Sequence, residues 1–171
     1  MFDQPVEPVS ATAAMILLVP VLPIAIWAAV SDLKTMKIPN RAVLAMAAVW
    51  PLIGWYLVGM TAWLWGFALM AIVLVLGFLM YLTGTFGAGD AKFAAAMAGL
   101  FVGGDIGEIL LITFVCMVGA LFLHRLLRSL PFVRNATPDW ESWTRRRYFP
   151  FGLALSAIVV FYLLAAIWPQ G

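Results

Sequence analysis

Polar residues interrupt this chain at only a few places. Between them run apolar stretches, approximately from Ala11 to Val30, Ala42 to Val58, Ala62 to Leu82, Ile106 to Leu123 and Phe149 to Ile167. Each comes near the roughly 20 residues that a helix needs to cross the hydrocarbon core of a bilayer. A further stretch, Ala91 to Val102, fourth of six in chain order, is shorter, and as a helix it would rise only ~18 Å. The segment before it, Gly84-Thr85-Phe86-Gly87-Ala88-Gly89-Asp90, must then lie partly at membrane depth. Glycine-rich, charged backbone is tolerated there only when buried in protein or lining a wet cavity. The pattern predicts an all-α polytopic integral membrane protein of about six transmembrane helices. Residues 1–171 read as a single membrane-embedded domain, with no internal repeat and no separate soluble domain. The sizeable polar loop, about His124 to Tyr148, is broken by Pro131, Pro138 and Asn135-Ala136-Thr137.

The charges give the helices a direction. Lys34, Lys37 and Arg41 lie between the first and second stretches, and Lys92 opens the fourth. Arg125, Arg128, Arg134, Arg145, Arg146 and Arg147 lie between the fifth and sixth. With six spans, all 10 basic residues fall on one side. Asp3, Glu7, Asp105 and Glu108 mark the other. The positive-inside rule then puts both termini outside the cytoplasm, and the inner (cytoplasmic) membrane is the expected location. The N-terminal MFDQPVEP is acidic and the apolar stretch behind it is long, so Ala11 to Val30 reads as a retained transmembrane helix and not a cleaved signal. Tryptophans near the span ends, Trp50, Trp55, Trp63, Trp65, Trp143 and Trp168, read as interfacial anchors.

Composition narrows the function classes. Of 171 residues 65% are hydrophobic and 11% charged, where a soluble domain carries roughly 25% charged residues. Mean hydropathy is +1.04, so the lipid bilayer is the chief surrounding. A lone cysteine, Cys116, excludes an internal disulfide and a cysteine-based zinc site. No metal and no cofactor is expected. No basic run interleaved with exposed aromatics suggests a nucleic-acid partner.

Two acids are out of place. Asp32 closes the first stretch and Asp90 opens the fourth; a charge near the bilayer is costly and tends to be functional. Both fall on the basic side, at similar depth. Two carboxylates held close share a proton and can activate a water between them. Gly87 and Gly89 would allow close approach of backbone to a substrate and set Asp90 on a tight turn at a helix N-terminus. The same spacing also fits a plainer arrangement, with Asp32 paired to Lys34 or Lys37 and Asp90 capping its helix.

The words around these acids are more specific. Asp32 lies in Ser31-Asp32-Leu33-Lys34-Thr35-Met36-Lys37-Ile38-Pro39-Asn40, and Asp90 in Gly87-Ala88-Gly89-Asp90-Ala91-Lys92. Phe149-Pro150-Phe151-Gly152 begins the last stretch. Together these resemble the type IV prepilin peptidase family of GxGD membrane aspartyl proteases, in its minimal branch, as in Flp and tight-adherence pilus systems. The resemblance implies a membrane aspartyl endopeptidase that removes the short cytoplasmic leader of prepilin or pseudopilin substrates. It implies Asp32 and Asp90 as the catalytic pair and Gly87 and Gly89 as the active-site turn. Lys34, Pro39, Asn40, Lys92, Pro150 and Gly152 match motif positions as possible supporting residues. Their plainer readings are topology for the lysines, the start of the second helix for Pro39 and Asn40, and close helix packing for Gly152. The chain departs from larger members in lacking a paired C-x-x-C loop, and Leu153 stands where a second proline would follow Gly152.

Rival readings remain at this point: a small proton-coupled transporter with Asp32 and Asp90 as its relay, or an inactive pilus-assembly subunit. Among lesser candidates, His124 reads as an interfacial or C-terminal helix residue and not a ligand, and Cys116 as packing. Asp105 reads as an N-cap with Glu108 as its capping-box partner. The oligomeric state is not legible.

Overall fold

The computed structural model describes residues 6–84, 86–145 and 149–168, and among these it contains helices and no strands. In chain order they are α1 (Ala11–Thr35), α2 (Asn40–Val49), α3 (Trp55–Leu57), α4 (Met60–Leu82), α5 (Ala88–Ala98), α6 (Ile106–Ser129), α7 (Pro131–Ala136), α8 (Glu141–Thr144) and α9 (Phe151–Ile167). Every predicted span coincides with a helical segment. Three helices, α1, α4 and α6, are long and apolar enough to cross a membrane, and α9 is a shorter apolar helix. The second predicted span is α2 and α3 joined by a π-helical turn, Trp50–Gly54; Pro51 lies in that turn and has no N–H to give to a regular ladder. The fourth is α5, extended by a 3-10 turn, Gly99–Phe101.

Local chemistry sets the helix limits. Ser10 caps α1, accepting from the Ala13 N–H at 3.3 Å. Asp105 caps α6, accepting from the Glu108 N–H at 2.9 Å, as its place in the sequence predicts. α1 stops where Met36 turns left-handed (φ 52°) and donates its N–H to the Asp32 carbonyl. Pro39 then starts α2.

α1 and α9 form the most extensive helix pair, and α5 packs mainly on α4 and α2. Small residues permit the close approaches. A Cβ on Gly77 of α4 would stand 2.9 Å from the Ala91 Cβ, so α5 lies tightly on α4 beside Asp90. Trp50 is fully buried in a slot bounded by Gly54, Gly66 and Gly99, where any added Cβ would strike its indole. Its Nε1 donates to the Trp63 carbonyl at 3.0 Å. Trp50 is therefore a core residue and not an interfacial anchor. A tryptophan near a span end is ambiguous in sequence, and here the glycines opposite decide it.

Trp143 corrects the same expectation. It is buried, and its Nε1 donates to the Thr137 carbonyl at 3.0 Å, so it fastens the loop between α6 and α9. Trp55, Trp65 and Trp168 are exposed, as anchors would be. Asp3, Arg146 and Arg147, which contribute to the charge pattern, lie outside the described residues.

Candidate active site

Asp32 sits in the last full turn of α1 and is buried, with 4% of its surface exposed. Its Oδ2 accepts the backbone N–H of Gly152, at the start of α9, at 2.7 Å. The approach is close because residue 152 has no side chain. A Cβ there would stand 2.9 Å from both the Cβ and Oδ2 of Asp32. The expectation that Gly152 serves helix packing is thus met, and the packing brings a hydrogen-bond donor to Asp32.

Asp90 is held locally. It occupies the first turn of α5, half-buried, and its Oδ2 accepts the Gly87 N–H at 3.2 Å. Gly87 is the N-cap of α5, and Gly89 lies inside the helix. Neither adopts a positive φ, so the segment is a helix start and not a strained turn. Gly87 instead makes room for the acid, since a Cβ there would stand 2.7 Å from the Asp90 Oδ2. Gly89 faces Ile38, with ordinary contact distance to spare for a Cβ, 3.6 Å.

Asp32 and Asp90 come to the same end of the bundle, where Ile38 lies against both Gly152 and Gly89. Among the described residues neither forms an ion pair with Lys34, Lys37 or Lys92. The pairing of Asp32 with a neighbouring lysine is therefore not realised, whereas the capping geometry at Asp90 is. Lys34, Lys92 and Asn40 are exposed. Pro39 is half-buried, and Pro150 is fully buried directly before α9.

Residues that sequence reasoning did not single out complete this end of the bundle. Ile38, 7% exposed, lies between α1 and α2, against both Gly89 and Gly152. A row of rings leads away from the acids. Phe86 stacks on Phe151 at 4.9 Å, and Phe151 meets Phe149 edge-on at 5.4 Å. Phe149 meets His124 at 6.1 Å, and His124 stacks on Trp143 at 5.4 Å. His124 is buried near the C-terminal end of α6. The aromatic spelling of Phe149 and Phe151 was visible in the sequence; their partners in space were not.

The model of the type IV leader peptidase family matches residues 16–124, well over half of the chain. The chain belongs to that family. The match includes Asp32 and Asp90 with the words around them and ends before the α9 start that supplies Gly152. No curated protein and no solved structure matches the chain.

Proposed function

We propose that this leader peptidase is an aspartyl endopeptidase in which Asp32 and Asp90 form the catalytic pair, and that it removes the short cytoplasmic leader of prepilin- or pseudopilin-type substrates. One observation carries the reading. A buried, backbone-held carboxyl and a half-open one face the same end of an apolar bundle, and among the described residues no cation forms an ion pair with either. Two carboxyls that share one site also share a proton.

The reaction then balances without any other group. The ionised carboxylate takes a proton from a water as the water oxygen attacks the scissile carbonyl carbon. The protonated partner gives its proton to the carbonyl oxygen, stabilising the tetrahedral intermediate. Collapse breaks the C–N bond: the leaving amine takes the proton that came from the water, a hydroxyl of the gem-diol returns its proton to the other carboxylate as the carbonyl re-forms, and the pair again holds one proton. Gly152 positions Asp32 through its N–H, and Gly87 does so for Asp90. In this reading the six helical segments span the cell's inner membrane with both termini outside the cytoplasm. The acids then lie at the cytoplasmic interface, the depth at which a basic leader meets an apolar substrate helix.

The test is co-reconstitution with a prepilin-type substrate, reading the new N-terminus by mass spectrometry. Cleavage at the junction of leader and apolar helix is expected. A substrate left intact by folded enzyme overturns the reading. A reporter active only outside the cytoplasm should work when fused after Gly171 and be silent within residues 128–144. The reverse pattern would take the acids away from the leader.

A further inference from the structure

We propose that Ile38 is a positioning residue: wedged between Gly89 and Gly152, it sets the separation of the Asp32 and Asp90 carboxyls. The proposal rests on the assignment of these two acids as the catalytic pair.

The need for a spacer follows from the packing. Asp32 is on α1 and Asp90 on α5, and these two helices make no substantial contact with each other. Each packs instead on α2 and α9. The distance between the acids is therefore set by what lies between α1 and α5 at this end, and Ile38 lies there.

Its backbone is fixed from both sides in sequence. Met36 takes the left-handed conformation that ends α1. Pro39 disfavours the helical region for the residue before it, so Ile38 stays extended. The Ser31 hydroxyl donates to the Lys37 carbonyl at 3.0 Å, and the Thr35 hydroxyl donates to the Ser31 carbonyl at 2.9 Å. The turn is thus tied to the same helix end that carries Asp32.

The side chain bridges outward from that anchor. Toward α5, a Cβ placed on Gly89 would stand 3.6 Å from the Ile38 N, Cβ and O, so the residue next to Asp90 rests on the root of Ile38. Toward α9, a Cβ placed on Gly152 would stand 3.0 Å from the Ile38 Cδ1, so the tip of Ile38 touches the residue that donates to Asp32. Ile38 therefore spans the two supports, its backbone and Cβ against the neighbour of one acid and its Cδ1 against the donor of the other. Truncating the side chain keeps the contact at Gly89 and removes the one at Gly152, so α9 can close toward α5, and misplacement by about 1 Å costs a dyad of this kind roughly 100-fold in rate.

Ile38→Val and Ile38→Ala test this in proteoliposomes carrying a prepilin-type peptide, with kcat expressed per folded enzyme. Ile38→Val loses only the Cδ1 at Gly152, and its kcat should fall about threefold to tenfold; Ile38→Ala should lose roughly 100-fold. KM should stay within about threefold in both, because a spacer acts on the chemistry and not on substrate affinity. Leu17→Ala separates this from core loosening. Leu17 is equally buried in α1 but about 22 Å along the helix from Asp32. Its variant should lose folded yield while keeping kcat per folded molecule. Wild-type kcat in Ile38→Ala, or in Ile38→Val should the alanine variant not accumulate, overturns the proposal. So does a loss carried by KM, or an equal kcat loss in Leu17→Ala. Asp32→Asn and Asp90→Asn run alongside: if both are inactive while the Ile38 variants are normal, the spacer is refuted and the protease reading stands. If they cleave, the protease reading itself is refuted.

Discussion

Asp32 and Asp90 reach the same end of the bundle by opposite means. Asp32 is held from across the chain, by a donor 120 residues away in sequence, and is almost closed off. Asp90 is held by a donor three residues away and is half-open. The hydrogen bond to Asp32 lies in a buried, low-dielectric setting, where such bonds are strong and costly to lose. The one to Asp90 is an N-terminal helix cap of ordinary kind. The contrast assigns different vulnerabilities. Asp32 depends on how α1 meets α9, whereas Asp90 needs only the first turn of α5. Asp90 is also the more open of the two to solvent.

The largest expected effect tests whether the two acids are equal partners despite these settings. Asp32→Asn and Asp90→Asn keep nearly the same shape, and each alone should lower cleavage by at least about 1000-fold, with the double variant no worse than the singles. Cleaved substrate measured against membrane abundance checks this. Substantial cleavage by Asp90→Asn, with Asp32→Asn inactive, would reduce Asp90 to a helix cap and end the pair.

Next in size is Gly152→Ala. The new Cβ would stand 2.9 Å from the Asp32 Cβ and Oδ2. The Asp32 Cβ is bonded directly to the α1 backbone and cannot swing away, so α1 and α9 must part. A separation of about 1 Å should cost roughly 100-fold in kcat. Gly87→Ala makes the matching intrusion at Asp90, 2.7 Å from Oδ2. That atom is the free end of a side chain and can rotate, at the cost of its cap. The loss should stay near tenfold, in line with the ~1 kcal/mol that a cap contributes. Equal losses in the two variants would show that the long-range and local supports are equally stiff, contrary to the geometry.

The same contrast explains what could be read from the sequence. Asp90 and its cap are local: Gly87 and Asp90 are three residues apart, so helix-start chemistry places the acid without tertiary information. The apolar stretches likewise announced the helices, because hydrophobic length needs no partner to be visible. The donor to Asp32 was beyond such reasoning. Gly152 stood in a recognisable word, but a glycine's spelling does not say which side chain lies above it. Ile38 was hidden for a related reason. It stood in a recognisable word too, but an apolar side chain's spelling does not say what it lies against until its neighbours on α5 and α9 are known. Trp50 and Trp143 were expected as interfacial anchors because proximity to a span end was the sole available clue, and the same clue left His124 as an interfacial or helix-end residue. Burial of each is decided by distant partners, the glycine slot for Trp50 and the ring stack for His124 and Trp143.

The smallest expected effect concerns the lysines that flank both acids at the same spacing. Lys34 follows Asp32 by two residues and Lys92 follows Asp90 by two. Residues two apart on a helix do not face each other. Both lysines are exposed, and neither forms an ion pair with its acid among the described residues. An exposed charge without a partner contributes little, so Lys34→Gln and Lys92→Gln should each keep kcat/KM within about threefold of wild type. The prediction sharpens the contrast because it is symmetric. If the acids differ only in how backbone groups hold them, exchanging the nearby charges should leave both unmoved. A loss beyond about tenfold in Lys92→Gln alone, far more than an exposed pair accounts for, would mean that its ammonium reaches the substrate on the Asp90 side. Asp90 would then owe its role to a charged neighbour as well as to its helix. The same loss in Lys34→Gln would place a charge next to the acid that the geometry shows sealed behind Gly152.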